Sequence, residues 1–300
     1  MKKFLVAILS VCLSLGCFAM IGCNDEEPNN QPPHEHVFED ETDFYCDECS
    51  SYVVDTNEEF AQALAKTETE INIIVTADVT VDVTAWDTLA FGGENTTAIN
   101  IKGENNNKIT FNQLNSDWSN VVMKNANGVL SLENVTLTNS GHNDGPWNRH
   151  DINFGVDVKL TNVVSDKAFA FKKGATLKNV VINENNGDCY AIWIQPNGQT
   201  ISIDGLVVNN DVTGGRGIKI DEQYVETPAK VILTVKNSVF KTNKKAAILV
   251  KSIAGAEIAL SNVNIDKVNA DSTNAVWVDS ACSDYANLVV VTGGNKIVEA

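Results

Sequence analysis

The sequence predicts an all-β solenoid, and three observations carry that expectation. An apolar alternation, a turn residue and a second short alternation recur six times, in Leu130–Leu137, Val158–Val163, Thr176–Ile182, Ile201–Val208, Leu233–Phe240 and Ile258–Ile265. The turn residue is Asn134, Asn162, Asn179, Asn237 or Asn262, with Gly205 in the fourth copy, at steps of 28, 17, 26, 32 and 25 residues. Such spacing lies in the range of solenoid repeats. From Ile71 to the C-terminus the apolar period is two, β-branched residues and Asn/Gly turns dominate, and no long helical stripe interrupts them. The third observation is a second strand family preceding the Asn phrases: Ala168–Lys172, Ala191–Gln195, Gly217–Asp221, Ala247–Lys251 and Ala275–Asp279.

Alternation assigns the faces of that second family. Phe169/Phe171, Ile192/Ile194, Ile218/Ile220, Ile248/Val250 and Val276/Val278 share one side and are expected to stack as a core. Ala170, Trp193, Lys219, Leu249 and Trp277 share the other and are expected to form an exposed column. Each rung would then hold three short strands, with the Asn marking one corner. The 17-residue step from Asn162 to Asn179 is short for a full rung and marks an expected irregularity. Cys189 and Cys282 lie about three rungs apart, ~14 Å at ~4.8 Å per rung, so free thiols are expected.

The chain is long enough for two average domains, but a repeat array remains one domain as it grows. Residues 55–300 are therefore assigned to the solenoid. Thr56-Asn-Glu-Glu59 reads as a capping box opening a short helix over about 57–66, whose Phe60, Ala63 and Leu64 stripe suits it to close the first rung. The formal charge of −17 is uneven: Asp25 to Glu59 holds 13 acids and no Lys or Arg, whereas 26 acids face 20 bases from Phe60 onward. A nucleic-acid partner is disfavoured, because affinity for polyphosphate needs basic surface.

Residues 1–22 read as an export signal, with Lys2 and Lys3 ahead of an apolar run from Phe4. Met20-Ile-Gly-Cys23 resembles the lipobox of bacterial lipoproteins, which implies acylation at Cys23. Ser14-Leu-Gly-Cys17 is a competing match, and an uncleaved membrane helix is the other reading. Either places the rest of the chain outside the cytoplasmic membrane. Residues 23–33 are an acidic, Pro-containing tether. The Asn-Asp-Glu-Glu after Cys23 resembles the signal that sends some lipoproteins of the Bacteroides group to the cell surface.

Residues 34–54 form a small His/Cys segment. His34, His36, Cys46 and Cys49 could complete a tetrahedral Zn²⁺ site, structural because four protein ligands leave no position for water. A local disulfide and a plain linker are the alternatives.

The three-strand rung with its left-handed Asn corner resembles the right-handed parallel β-helix of the pectate lyase-like superfamily, over about residues 71–300. That resemblance implies an Asn ladder from rung to rung and a substrate trough over the outer face of the second strand family. Here that face carries Tyr190, Trp193, Gln195, Arg216, Lys219, Asp221, Lys251, Trp277 and Asp279. Exposed tryptophan stacks well on sugar rings, so Tyr190, Trp193, Gln195, Trp277 and Asp279 are candidate glycan contacts; burial of the tryptophans under loops is the other reading. The long polar insertion from Ser140 to Asp151 adds Trp147, Arg149 and His150 as ligand candidates.

Lyase chemistry would need carboxylates for Ca²⁺ and a basic residue for proton abstraction. Asp151, Asp188, Asp221 and Asp279 could supply the first, Arg216 or Lys219 the second. Arg216-Gly-Ile-Lys219 is similar to the Arg-Ile-Lys segment of polygalacturonases and Gly141-His142 to their Gly-His-Gly, yet the paired Asp motif of those enzymes is missing. The sequence therefore points to a lipid-anchored surface protein that binds extracellular polysaccharide or a cell-surface glycan. The alternatives are a polysaccharide lyase or glycoside hydrolase acting on an acidic polysaccharide, and a purely structural spacer.

Overall fold

A computed structural model describes residues 36, 38, 44–83, 89–113, 120–140, 151–184, 190–210, 216–242, 247–267, 275–279, 287–294 and 296–298. The first rungs are built from β1 (Tyr45–Cys46), β2 (Ser51–Val54), α1 (Asn57–Leu64), β3 (Glu70–Val75), β4 (Val79–Val83) and β5 (Leu89–Phe91). β6 (Ala98–Gly103), β7 (Lys108–Gln113), β8 (Asn120–Met123), β9 (Val129–Glu133), β10 (Thr136–Asn139) and β11 (Ile152–Phe154) follow. Next come β12 (Asp157–Ser165), β13 (Phe169–Phe171), β14 (Ala175–Ile182), β15 (Tyr190–Ile194), β16 (Thr200–Asn210) and β17 (Arg216–Asp221). The last are β18 (Val231–Thr242), β19 (Ile248–Lys251), β20 (Ala256–Lys267), β21 (Val276–Val278), β22 (Val289–Thr292) and β23 (Lys296–Val298).

These strands wind into a parallel β-helix. One sheet runs in the order β2-β3-β6-β9-β12-β14-β16-β18-β20-β22, the other β5-β8-β11-β13-β15-β17-β19-β21-β23. From β12 to β20 the two strands flanking each corner residue merge into one long strand bent at Asn162, Asn179, Gly205, Asn237 or Asn262. In the earlier rungs they are separate, and β4, β7 and β10 form a third face. Strict register stacks like on like: Ile71, Ile99, Leu130, Val158, Ala175, Ile201, Leu233 and Ile258 form one continuous buried column. In the other sheet Phe154, Phe169 and Phe171 pack ring against ring at 5.8–6.0 Å, beneath Ile192 and Ile194.

The corner residues are left-handed, as expected: φ is 53° at Asn134 and Asn162, 54° at Asn179, 79° at Gly205, 47° at Asn237 and 50° at Asn262. Their amides form the ladder. Asn162 donates to Asn134 at 3.0 Å, Asn179 to Asn162 at 3.1 Å and Asn262 to Asn237 at 2.8 Å. Gly205 breaks it because glycine has no side-chain amide, and Asn237 donates to Asp204 Oδ1 instead, at 2.8 Å. Asn106, with φ 55°, turns the chain between β6 and β7; its four-residue connection hid it from the repeat pattern.

The 17-residue step is not an irregularity of register but a minimal, complete rung. β12 and β14 pair throughout, with β13 between them in sequence. Its connections are closed by short bonds: Ser165 Oγ donates to Lys167 O at 2.8 Å, Ala168 N to Glu184 Oε2 at 2.9 Å and Gly174 N to Asp157 Oδ1 at 2.7 Å.

At the first rung, α1 has the expected cap. Glu59 N donates to Thr56 Oγ1 at 3.2 Å while Thr56 N donates back to Glu59 Oε2 at 3.3 Å, and Phe60, Ala63 and Leu64 are buried. Burial would raise the Glu59 carboxyl, but the bond it accepts from Asp55 N, at 3.1 Å, and those from Thr56 outweigh this and hold it below its ordinary value. β2 pairs in parallel with β3, and β1 turns back antiparallel onto β2, so the Cys-x-x-Cys segment is built directly onto the β-helix. The described residues from His36 onward belong to one compact unit.

Candidate functional site

The outer face of the β5–β23 sheet brings together residues expected there, burying Trp193, Gln195 and Asp221 and leaving Tyr190, Arg216, Lys219, Trp277 and Asp279 partly exposed. Register places Tyr190 beside Arg216, and Trp193 beside Lys219, Leu249 and Trp277 in turn. The expected exposed column is corrected at two positions: Ala170 and Trp193 are only 1 % and 4 % exposed. The turn that follows β17 supplies the reason, for Tyr224 leans on Trp193 edge to face, with ring centroids 6.4 Å apart and planes at 62°. The indole Nε1 donates to Asp221 O at 3.3 Å, satisfying the donor that burial would otherwise strand. Tyr224 itself is 68 % exposed. It is the aromatic that faces solvent, and sequence reasoning missed it because it lies in a turn rather than on a strand.

The charges nearest Tyr190 and Trp193 are engaged within this face. Lys219 Nζ forms an ion pair with Asp221 Oδ2, both side chains being largely buried. The same ammonium lies 5.1 Å from the Tyr190 ring and 5.6 Å from the Trp193 ring. Arg216 sits over Tyr190, 4.8 Å from its ring, and donates to its hydroxyl. Asp221 also accepts from Gln223 N at 3.0 Å. Burial pushes the Tyr190 phenol above its ordinary value, the Arg216 guanidinium opposes this, and Asp221 and Asp279 add to the rise.

The carboxylates do not converge. Asp151 precedes β11 and Asp221 ends β17, three rungs further along, a separation of ~14 Å before the offset along the strands is counted. Asp221 and Asp279 belong to rungs two apart, and Lys251 stands between them in register with Asp221. A Ca²⁺ site needs several oxygens at ~2.3–2.6 Å from one ion, and among the described residues no three of these carboxylates gather in that way. Asp151 is buried, its carbonyl accepting from Asn139 and Asn153. Gln195, a glycan candidate, is 7 % exposed, and its carbonyl accepts from Gln199 at 2.6 Å. Asp188, Trp147, Arg149 and His150 lie outside the described residues, as do Cys189 and Cys282.

Beside this cluster, where β11, β13 and β15 leave their sheet, an open cleft of about 570 Å³ is lined by Asn120, Asp157, Lys172, Lys173, Asn197 and Gln199, among others. Lys172 stands at the fifth position of the strand repeat that also supplies Gln195 and Asp221. Burial alone lowers the pKa of its ammonium.

A second constellation lies at the first rung. His36, Cys46 and Cys49 place one ligand atom each within 4.8 Å of one another. His36 Nδ1 is 3.9 Å from Cys49 Sγ, and its Nε2 is 2.8 Å from Glu104 Oε1. Burial works against the charged imidazole, but hydrogen bonds to Glu104 and Cys46 outweigh it and hold the ring above its ordinary pKa. Burial, with Cys46 adding to it, pushes the Cys49 thiol up. His34 and Cys23 lie outside the described residues. Among the described residues, no helix is long and apolar enough to cross a membrane.

Residues 52–168 match the family described as "Putative pectate lyase-like adhesive domain". The match runs from β2 to the residue before β13, about two fifths of the chain. No curated protein and no solved structure matched.

Proposed function

We propose, from a chain whose fold and partial family match fit the pectate lyase-like β-helix superfamily, that this protein is an exported, lipid-anchored surface adhesin that binds glycan along the outer face of the β5–β23 sheet. The family match suggests a surface-adhesin role, and the lipobox-like Cys23 motif is what supports the anchor. Binding rather than bond cleavage is favoured by one observation. Lys219 and Asp221 neutralise each other and Arg216 is engaged with Tyr190, so these three candidates for acid–base or Ca²⁺ chemistry are committed to the scaffold. What remains for a ligand is the Tyr224 ring backed by Trp193 and the polar cleft around Lys172 and Asn197.

A sugar ring stacked on Tyr224 would gain the aromatic contact without desolvating an ion pair. On a glycan array the protein is expected to bind a limited set of polysaccharides. Tyr224→Ala should weaken that binding about tenfold, equivalent to ~1.4 kcal/mol for a central aromatic. Binding to no glycan, or binding unchanged in Tyr224→Ala, would count against this face. In fractionated host cells the wild-type chain should sediment with membranes and Cys23→Ala should not; co-sedimentation of both would exclude the Cys23 anchor.

A further inference from the structure

The three donors at the first rung lie within 4.8 Å of one another, near enough to share one metal ion. With Zn–S at ~2.3 Å and Zn–N at ~2.0–2.1 Å, ligand atoms of one tetrahedron stand about 3.5–3.8 Å apart. The 3.9 Å between His36 Nδ1 and Cys49 Sγ is long for a useful hydrogen bond and close to that ligand spacing. The turn between β1 and β2 places both sulfurs on one side, with Ser50 taking the left-handed conformation, φ 50°, that lets the chain reverse within it.

Glu104 adds an observation that the cysteines alone do not supply. A carboxylate only accepts, so the 2.8 Å contact puts an imidazole proton on Nε2, and in the neutral ring the Nδ1 lone pair then faces Cys49. That is the tautomer a metal ligand requires, fixed from outside in the manner of carboxylate–histidine–metal sites. A Cys46–Cys49 disulfide would give this arrangement no role.

We propose that His36, Cys46 and Cys49 bind a thiophilic divalent ion, Zn²⁺ by ligand type, with Glu104 as the positioning carboxylate. Two thiolates and an imidazole select Zn²⁺ over Ca²⁺ or Mg²⁺, whose hard ions take oxygen. Binding releases the thiol protons, forms two Zn–S bonds and one Zn–N bond, and involves no electron transfer. The ion joins segments far apart in sequence: His36 before the first strand, the β1–β2 turn, and Glu104 after β6. It thereby clasps the hairpin over the end of the β3 sheet, covering an edge that would otherwise be open to pairing.

The test uses the full chain, reduced, with Zn²⁺ and then Co²⁺ as probes. The expected result is one Zn²⁺ per chain retained through gel filtration, and a Co²⁺ form with a thiolate charge-transfer band and tetrahedral ligand-field absorption. Cys49→Ser should abolish both. Glu104→Gln should weaken the affinity ~10–100-fold while circular dichroism stays that of the wild type. Cys46 is fully buried and its replacement could unfold the hairpin, so Cys49→Ser and Glu104→Gln are the deciding variants. Zn²⁺ content no higher than that of Cys49→Ser would overturn the site. Wild-type affinity in Glu104→Gln would overturn the role of the carboxylate.

Discussion

Lys219→Met is expected to destabilise the β-helix by about 3–5 kcal/mol, the cost of leaving a buried carboxylate without its partner. Asp221 is 2 % exposed, and its ion pair with Lys219 neutralises it there. The methionine keeps most of the lysine stem and its packing over Tyr190 and Trp193, so the loss isolates the charge. The double variant Lys219→Met/Asp221→Asn should recover most of that stability. Asparagine removes the stranded charge yet still accepts from Gln223 N. Urea unfolding of the four proteins of this cycle measures the coupling. Equal stability of Lys219→Met and wild type would mean that the pair is solvated, and that its groups are available for chemistry after all.

Phe169→Ala is expected to cost a similar ~3–5 kcal/mol, for a different reason. Phe169 is fully buried, and its ring meets Phe154 at 5.8 Å and Phe171 at 6.0 Å. Its rung is the 17-residue one, whose connections are closed by Ser165, Glu184 and Asp157. Such a rung has little slack with which to fill a cavity. Because each rung contacts mainly its neighbours, the damage should be local. Hydrogen exchange should speed up in β11, β13 and β15 and change little in β20. Uniform acceleration throughout the chain would show instead that the solenoid unfolds as one unit.

The scaffold was readable because each rung repeats a local rule. A left-handed corner selects Asn or Gly, and alternation sorts core from surface, so both strand families and six corners, five at Asn and one at Gly205, are placed from sequence. Asn106 escaped because its corner is a four-residue connection rather than a single residue. Trp193 takes the second of its two readings, burial under a turn. Alternation correctly turned it outward, but the turn carrying Tyr224 folds over it, and a turn's path is not written in period-two patterning. The Cys-x-x-Cys spacing showed two donors, whereas Glu104 could not be found from sequence, since it meets His36 across 68 residues through rung stacking alone. The lyase candidates meet the same limit: Asp151 and Asp221 look alike in sequence, and only the count of rungs between them separates them.

Incubating the full chain with pectin and other acidic polysaccharides, and following retention and unsaturated products in the same sample, tests the central claim most directly. A non-catalytic adhesin predicts a polysaccharide that is retained, with retention lowered in Tyr224→Ala, and no unsaturated ends even with Ca²⁺ added. Product formation that disappears in Arg216→Ala would contradict it, and would make this face an active site.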